Sequence, residues 1–312
     1  MPSSTTLPAF KLGGTSILRN DGLDPLSDQQ LKRFSPTIFT KSGIYGVENV
    51  RDVSDKYGHV STIEIINAMR DIGYMPVEVR QSMRKDADRM PFTKHMVKFR
   101  RDGALKKVMV GDVVPQLTML NSHDRSSGFH LYMALFRLLC GNGLMVSEGA
   151  DVEPVRVPHT LRMVENIVEQ SQLLVKGMSG VYELRDQMLA TPMTAKQQTN
   201  FAVAALEFRP PRRTGVLEPS TLLTPRRAVD DKPDLWHVFN RVQENMMRGG
   251  NETKTADGRM ATTRGIGRIE RDVEVNRALW SLAVQTIAKA STSAKKTVAA
   301  KKRRVVTEDD DV

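Results

Sequence analysis

The stretch Leu120–Val146, LNSHDRSSGFHLYMALFRLLCGNGLMV, decides the fold that we predict for this chain. It joins an apolar run, Phe129–Cys140, to a second one, Leu144–Val146, through the turn Gly141-Asn142-Gly143. Apolar runs on both sides of an Asn-Gly pair favour a β-hairpin, because both residues tolerate the positive φ of a tight turn. A buried helix is the alternative for the first run, but the flanking glycines favour a strand. We therefore expect a hairpin at the buried centre of a sheet.

Polar residues at the start of this stretch include three candidate catalytic side chains, His123, Asp124 and His130. Imidazole and carboxylate groups can bind a metal ion or move a proton. The alternative is that the short polar side chains cap a turn between two strands by bonding to their own backbone. No second carboxylate lies near in sequence, and metal sites usually need three or four ligands. We therefore predict no metal and no cofactor, and assign no catalytic residue beyond these three candidates.

Two segments upstream alternate apolar with charged or polar residues. Val77–Met83 and Phe92–Arg101 both have the period of two that is typical of a strand. A third, more apolar strand, Val113–Asn121, leads into the hairpin, which gives at least four strands. The alternation predicts one core face and one basic face that contacts phosphate groups, although Lys and Arg are also common on solvated sheet faces. The nucleic-acid-binding candidates in this part of the chain are Arg80, Arg84, Lys94, Lys98 and Arg100.

Helical patterns surround the strands. Ser27 can cap a short helix through Phe34, and Ser61–Glu64 has the pattern of a capping box for an amphipathic helix. Downstream helices are predicted from Thr160 to Lys176 or beyond, over Thr194–Phe208, from Asp234 and over Arg271–Ala290. This order predicts an α+β fold, in which an antiparallel sheet of about four or more strands packs on helices and is followed by a mainly helical C-terminal part.

The chain divides into four parts. We predict a disordered N-terminus at 1–22, a helix-plus-sheet region at 23–158, a mainly helical region with a basic loop at 159–290, and a disordered tail at 291–312. The tail is basic and then ends in the acidic tip Glu308–Asp311. Such a tip can compete with DNA for the basic surface of its own chain, or it can simply add solubilising charge.

Two basic segments lie in the helical region. Two Pro-Arg-Arg triplets place paired guanidinium groups on stiff backbone, which suits bidentate contacts with phosphate, although a linker docked by salt bridges explains them as well. A glycine- and threonine-rich loop, Asn251–Arg268, is cationic, and such loops often become ordered on a phosphate backbone. Its Gly-Ile-Gly sequence is too short to be a phosphate-binding loop. The candidates in these segments are Arg212, Arg213, Arg226, Arg227, Arg259, Arg264 and Arg268.

Composition favours a polyanionic partner. The net charge is +10 and the isoelectric point is about 9.7, so nucleic acid is the first candidate. Aromatic residues make up only 5% of the chain, so contacts with the phosphate backbone would have to dominate over base stacking. The single cysteine, Cys140, excludes a disulfide within the chain. We see no signal peptide or membrane span, and we expect a cytoplasmic protein of a bacterial host cell, with homo-oligomerisation left open.

Four segments carry a resemblance to a known family. They are TKHMVKFRR (93–101), LNSHDRSSGFHLYMALFRLLCGNGL (120–144), LLTPRRAVDDKPDLWHVFNRVQENMMRGG (222–250) and RGIGRIERDVEVNRALW (264–280). Together they resemble the family of uncharacterised prophage- and plasmid-borne proteins that includes the YfjQ, YafZ and YubP types, over about residues 26–287. The resemblance implies a bacterial mobile-element context and a domain whose function is unassigned.

Three functions are compatible with these observations. The first is a nucleic-acid-binding protein of a phage, prophage or plasmid, which binds single-stranded DNA through a basic sheet face and loops and assists recombination, annealing or establishment of the element. The second is a metal-dependent nuclease or another enzyme built on His123 and Asp124. The third is an interaction protein that counters host defence. The net charge and the pattern of basic residues favour the first function. The second is less favoured, because no pair of carboxylates has the spacing that would hold two metal ions.

Overall fold

A computed structural model describes residues 9–12, 14–19, 24–40, 59–104, 113–124, 126–137, 142–145, 155–157, 162–209, 217–255 and 257–308, with the backbone alone described at 142–145 and from 293 onward. The main sheet is formed by β1 (Ala9–Leu12), β2 (Thr15–Arg19), β3 (Tyr74–Ser82), β4 (His95–Arg101), β5 (Val113–Asn121), β6 (Phe129–Arg137), β7 (Asn142–Met145) and β8 (Val155–Val157). Two short strands, β9 (Glu252–Lys254) and β10 (Met260–Thr262), pair with each other.

The helices are α1 (Asp28–Phe34), α2 (Thr62–Asp71), α3 (Met163–Lys176), α4 (Met178–Leu189), α5 (Ala195–Glu207), α6 (Pro219–Leu223), α7 (Leu235–Arg248) and α8 (Ile269–Glu308). Short 3-10 helices lie at Pro36–Phe39, Met90–Phe92 and Ala228–Asp230. None of the helices in the described part of the chain has the length and apolar character needed to cross a membrane.

The main sheet is antiparallel and follows the order of the chain. Strands β1 to β7 lie side by side in sequence order, and β8 pairs with the start of β6. Consecutive strands are antiparallel neighbours, so no crossover is needed, and helices α1 and α2 lie in the connection between β2 and β3. The predicted α+β class, with an antiparallel sheet and a helical C-terminal part, is confirmed.

The hairpin that the sequence predicted is present but differs in its turn and its position. Strands β6 and β7 pair from Arg137↔Asn142 to Ala134↔Met145, so the run after Phe129 is a strand. Asn142 and Gly143 belong to β7, so they are not the turn that the sequence predicted; Gly141 lies outside the described residues. β7 is the last strand in the order, so the hairpin lies at one side of the sheet and not at its centre.

Two terminal segments differ from the prediction. Within the N-terminal 22 residues, expected to be disordered, β1 and β2 pair with each other and β2 pairs with β3, since Thr15, Ile17 and Leu18 are buried against the sheet. At the other end, the α8 backbone continues past residue 290 to Glu308, so the predicted helix end is wrong. Asp309, Asp310 and Asp311 of the acidic tip lie outside the described residues.

Helix starts are predicted with mixed success. Ser27 and Gln30 form a capping box at α1, as Thr194 and Gln197 do at α5. The capping box predicted at α2 is wrong, because the Ser61 hydroxyl donates instead to the carbonyl of Ile38 at 3.1 Å. The helix predicted from Thr160 is α3, which ends at Lys176 as predicted, and the optional continuation past Gly177 is a separate helix, α4, that ends at Leu189.

Both faces of the sheet are covered. One face packs on α2 and α3 and forms the main core, with Val97, Phe99, Met119, Leu131 and Met133 among its buried residues. On the other face Met96, Leu120, Tyr132 and Ala134 pack with Ile269 and Val273 at the start of α8. The face that the alternating strands were expected to expose therefore lies under a helix.

Candidate nucleic-acid interface and the buried ionic layer

The charged side chains on the α8-facing side of the sheet bond to one another and to α8. Arg80 donates to Glu78 Oε1 at 2.5 Å and to Asp272 Oδ2 at 2.7 Å. Glu78 also accepts from Arg19 Nε at 3.1 Å and lies 3.2 Å from Lys98 Nζ. We call Arg19, Glu78, Arg80, Lys98 and Asp272 the buried ionic layer. The layer joins strands β2, β3 and β4 to the first turn of α8.

The electrostatics of the layer follow from its burial and its pairing. Burial alone would raise the pKa of the Glu78 carboxyl, but Arg80, Lys98 and Arg19 together lower this pKa to below its ordinary range. Burial lowers the pKa of the Lys98 ammonium, and Glu78 offsets only part of this effect. A carboxylate with three cationic neighbours stays ionised in the interior, because each neighbour favours its charged form.

The predicted open basic sheet face is therefore wrong. Arg80, Lys94, Lys98 and Arg100 are all buried. Lys94 Nζ lies 2.6 Å from Glu270 Oε1 on α8, and the Arg100 guanidinium lies 4.2 Å from the centre of the Phe136 ring. The alternating pattern correctly predicts strands, but α8 covers this face with Glu270 and Asp272. Of the five candidates in this part of the chain, Arg84, which follows β3, is exposed.

The polar cluster after β5 is a structured turn. Ser126 N donates to Asp124 Oδ1 at 3.1 Å, and the Arg89 guanidinium donates to Asp124 Oδ2 at 2.9 and 3.1 Å. Burial would raise the pKa of the Asp124 carboxyl, but the hydrogen bonds from Ser126 and Arg89 lower it overall. Ser122 and Ser127 bond to each other across the turn. The alternative that the sequence left open, turn capping by short polar side chains, describes this geometry.

His123 points away from that turn into a buried cluster of polar side chains. In neutral His95, Nδ1 donates to the Thr93 carbonyl at 3.1 Å, so Nε2 accepts from the Thr62 hydroxyl at 2.8 Å. His123 Nε2 lies 3.3 Å from the same hydroxyl, and the centre of its ring lies 4.8 Å from that of the His59 ring, with the two rings tilted by 47°. Among the described residues no three His, Cys, Asp or Glu side chains are arranged to hold a metal ion. His123 therefore contacts the buried polar cluster, whereas Asp124 contacts Ser126 and Arg89 in the turn.

His130 lies on the other face of the sheet from His123. Its Nδ1 donates to the Gly128 carbonyl at 2.9 Å, and its Nε2 accepts from Arg156 Nε at 3.1 Å. Burial lowers the pKa of His130; the Gly128 bond acts in the opposite direction, while nearby cations such as Arg156 lower the pKa further. The structure thus does not bring the three catalytic candidates together.

The second Pro-Arg-Arg triplet is docked against α7. Arg227 donates to both carboxylate oxygens of Glu244 at 2.6 and 2.7 Å. Arg226 donates to Asn245 Oδ1 at 2.7 Å and to the Gly249 carbonyl at 2.5 Å, at the negative end of the helix dipole. These contacts correspond to the docked linker that the sequence left open. Arg212 and Arg213 of the first triplet lie outside the described residues.

The loop that follows α7 is a part of the predicted interface that stays open to solvent. Strands β9 and β10 form a hairpin within it, and we call Asn251–Arg268 the cationic hairpin. Arg259 has 84% of its side chain exposed and lies 3.0 Å from Asp257, and the neighbouring Met260 is 64% exposed. The exposed cations of the hairpin are Lys254, Arg259, Arg264 and Arg268.

The base of the cationic hairpin is fixed by close packing. A Cβ atom on Gly267 would overlap the backbone of Leu12 in β1, and one on Gly265 would lie 2.7 Å from the Arg248 carbonyl oxygen. Gly249 has φ +67°, and the Gly250 amide donates to the Thr263 carbonyl at 2.7 Å. The Gly-Ile-Gly sequence is thus a packing element that holds the hairpin against β1 and the end of α7. Sequence reasoning excluded a phosphate loop here but missed this role.

The fold and the site define a mixed α+β protein, in which helices cover both faces of an antiparallel sheet and a cationic hairpin is exposed. The family model described as Domain of unknown function (DUF932) matches residues 50–280, and the chain belongs to this family. It is similar to two Escherichia coli (strain K12) proteins, UPF0380 protein YafZ and UPF0380 protein YfjQ. Each is 32% identical over 275 residues, which cover 88% of this chain and 96% of the relative. No solved structure matches the chain.

Proposed function

We propose that the protein binds single-stranded DNA through the cationic hairpin, and that it assists recombination, annealing or establishment of a mobile element. The observation that carries this proposal is the exposure of Lys254, Arg259, Arg264 and Arg268 on one loop with a fixed base. Phosphate contacts by Lys and Arg release counterions and supply the sequence-independent part of the affinity for nucleic acid.

Two further features support the proposal. Met260, beside Arg259, offers a flexible thioether, which makes favourable contacts with aromatic rings such as unstacked bases. The Met83 amide donates to the Gly14 carbonyl at 2.7 Å, which places Arg84 beside the β1–β2 turn, close to where Gly267 packs on Leu12. Arg84 can therefore extend the same cationic surface.

The test is fluorescence anisotropy with labelled single-stranded DNA, duplex DNA and RNA over a series of salt concentrations. We expect the single strand to bind most tightly, with a log–log salt slope of about −0.7 per phosphate contact. Replacing all four hairpin cations with Gln should weaken binding and make the slope shallower.

A matched control variant removes the same charge elsewhere. Lys32, Lys176, Lys196 and Lys232 are exposed and lie outside the hairpin. Changing these four to Gln alters the net charge equally, so affinity should fall much less than in the hairpin variant if the hairpin is the interface. Equal loss in both variants, or no binding by the parent protein at low salt, would refute the proposal.

A further inference from the structure

Two donors on the α8-facing side of the sheet have no hydrogen-bond partner among the described residues. They are Gln116 Nε2 and Thr118 Oγ1, and their residues are 2% and 0% exposed. Buried polar groups in proteins are almost always hydrogen-bonded. Both residues lie on β5 two positions apart, so their side chains point to the same side of the sheet.

The strand register surrounds these donors with cations. Thr118 pairs with Lys98 on β4 and with Tyr132 on β6, and Gln116 pairs with Arg100 and with Ala134. Directly opposite side chains in an antiparallel pair have Cβ atoms about 4.5–5.5 Å apart, so these groups share one small area. Helix α8 borders the same area, where the Arg277 guanidinium lies 5.9 Å from the Tyr132 ring centre.

We propose that Lys98, Arg100, Gln116 and Thr118 bind a small anion that is rich in acceptor oxygens, such as inorganic phosphate or a phosphate monoester. Ammonium, guanidinium and amide nitrogens carry only donors, and the Thr hydroxyl can donate as well, so the matching ligand is an acceptor. Hydrogen bonds to an ionised acceptor are stronger than neutral ones. Glu78 borders the site, and Arg19 and Arg80 neutralise its charge.

This site is separate from the cationic hairpin. The sheet is covered on both faces, so a nucleic-acid strand cannot reach Thr118, and the proposed ligand is an anion of only a few atoms. Burial strengthens the attraction between an anion and Lys98, because the local dielectric constant is low. The ammonium of Lys98 has three donors and lies 3.2 Å from one oxygen of Glu78, so it can contact both.

The test is thermal unfolding and isothermal titration calorimetry of the full chain with inorganic phosphate, at ionic strength held constant with chloride. We expect a saturable rise in the unfolding temperature, as for any ligand that binds only the folded state. Sulfate and acetate form two further arms, which distinguish a tetrahedral oxyanion from a carboxylate. Binding by acetate alone would overturn the assignment to a phosphate-like anion.

Variants separate the site from general salt effects. Thr118→Val and Gln116→Leu remove one donor each at similar volume, and each should weaken phosphate binding at least tenfold. Thr118→Ser keeps the hydroxyl and should retain binding. The hairpin variant with four Gln substitutions should keep full phosphate affinity, so failure of the hairpin proposal would not affect this one.

Two results would overturn the proposal. The first is a wild-type protein whose unfolding temperature does not respond to phosphate. If Thr118→Val and Gln116→Leu are then both less stable, buried water is the partner of these donors. The second is phosphate binding that Thr118→Val and Gln116→Leu leave unchanged, because the anion would then bind elsewhere.

Discussion

Arg80 in the buried ionic layer is 4% exposed and bonds to Glu78 and Asp272, whereas Arg259 in the cationic hairpin extends into solvent beside Asp257. The two arginines carry the same charge, but their surroundings give that charge different consequences. In the layer, a charge that loses its partner has no water to replace it, so the layer specifies where α8 docks. In the hairpin, water screens each pair, and the cations remain available to a ligand.

The largest effect is expected from breaking the layer. Arg80→Met leaves Glu78 and Asp272 without their shared cation, and removing one partner of a buried ion pair typically costs about 3–5 kcal/mol. We expect a loss of this size in the free energy of unfolding, measured by denaturant titration. The double variant Arg80→Met/Asp272→Leu should recover a large part, because the unpaired carboxylate of α8 is gone.

The outcome that would contradict this view is a single variant as stable as the parent protein. That result would mean that the Arg80 contacts with Asp272 do not hold α8 on the sheet. Arg259→Met serves as the positional control, since an exposed substitution should change stability by no more than about 0.5 kcal/mol.

The next effect concerns the dependence of stability on pH. The pKa of Glu78 is lowered in the folded state, so its ionised form contributes stability above the unfolded-state pKa of about 4.3, and this contribution is lost as pH falls below that value. We expect thermal melts between pH 6 and pH 2 to lose on the order of 2 kcal/mol through this group. Glu78→Gln should make the dependence shallower.

Other carboxylates also contribute to the loss of stability at low pH, so Glu78→Gln should not abolish this pH dependence. The pKa values of Asp124 and Glu270 are also lowered. Burial would raise the pKa of Glu270, but hydrogen bonds, which include one from Lys94, lower it overall. Glu165 on α3 is exposed and provides a control, because Glu165→Gln should leave the pH profile as it is. A profile that is the same in Glu78→Gln and in the parent protein would argue against the ionic layer as a source of stability.

The contrast between the two regions also explains what the sequence could predict. Period-two alternation in β3 and β4 and the apolar stripe of α7 predict these elements, because both patterns arise from local geometry. The same alternation cannot distinguish a solvated basic face from one that is covered by a helix with carboxylates. The sequence carries one sign of the covering helix: Glu270 and Asp272 lie between the apolar residues Ile269 and Val273 at the start of α8.

The exposure of the cationic hairpin could be predicted from sequence more directly than the contacts of the buried ionic layer. Glycine, threonine and isolated cations predict an exposed loop, and exposure needs no long-range partner. What the sequence could not predict is the packing of Gly267 on Leu12, because these residues are far apart in the chain and meet only when β1 joins the sheet. The buried donors Gln116 and Thr118 depend in the same way on the position of α8.

The smallest effect on stability, and a clear one on binding, is expected at the hairpin tip. Arg259→Gln removes an exposed charge whose pair with Asp257 is screened by water, so the free energy of unfolding should change by no more than about 0.5 kcal/mol. If Arg259 contacts a phosphate, the log–log salt slope for single-stranded DNA should become shallower by about 0.7. Arg259→Lys keeps the charge and should keep the slope. A fall of several degrees in the melting temperature of Arg259→Gln would instead show that this arginine supports the fold. The distinction between the buried ionic layer and the cationic hairpin would then not hold at Arg259.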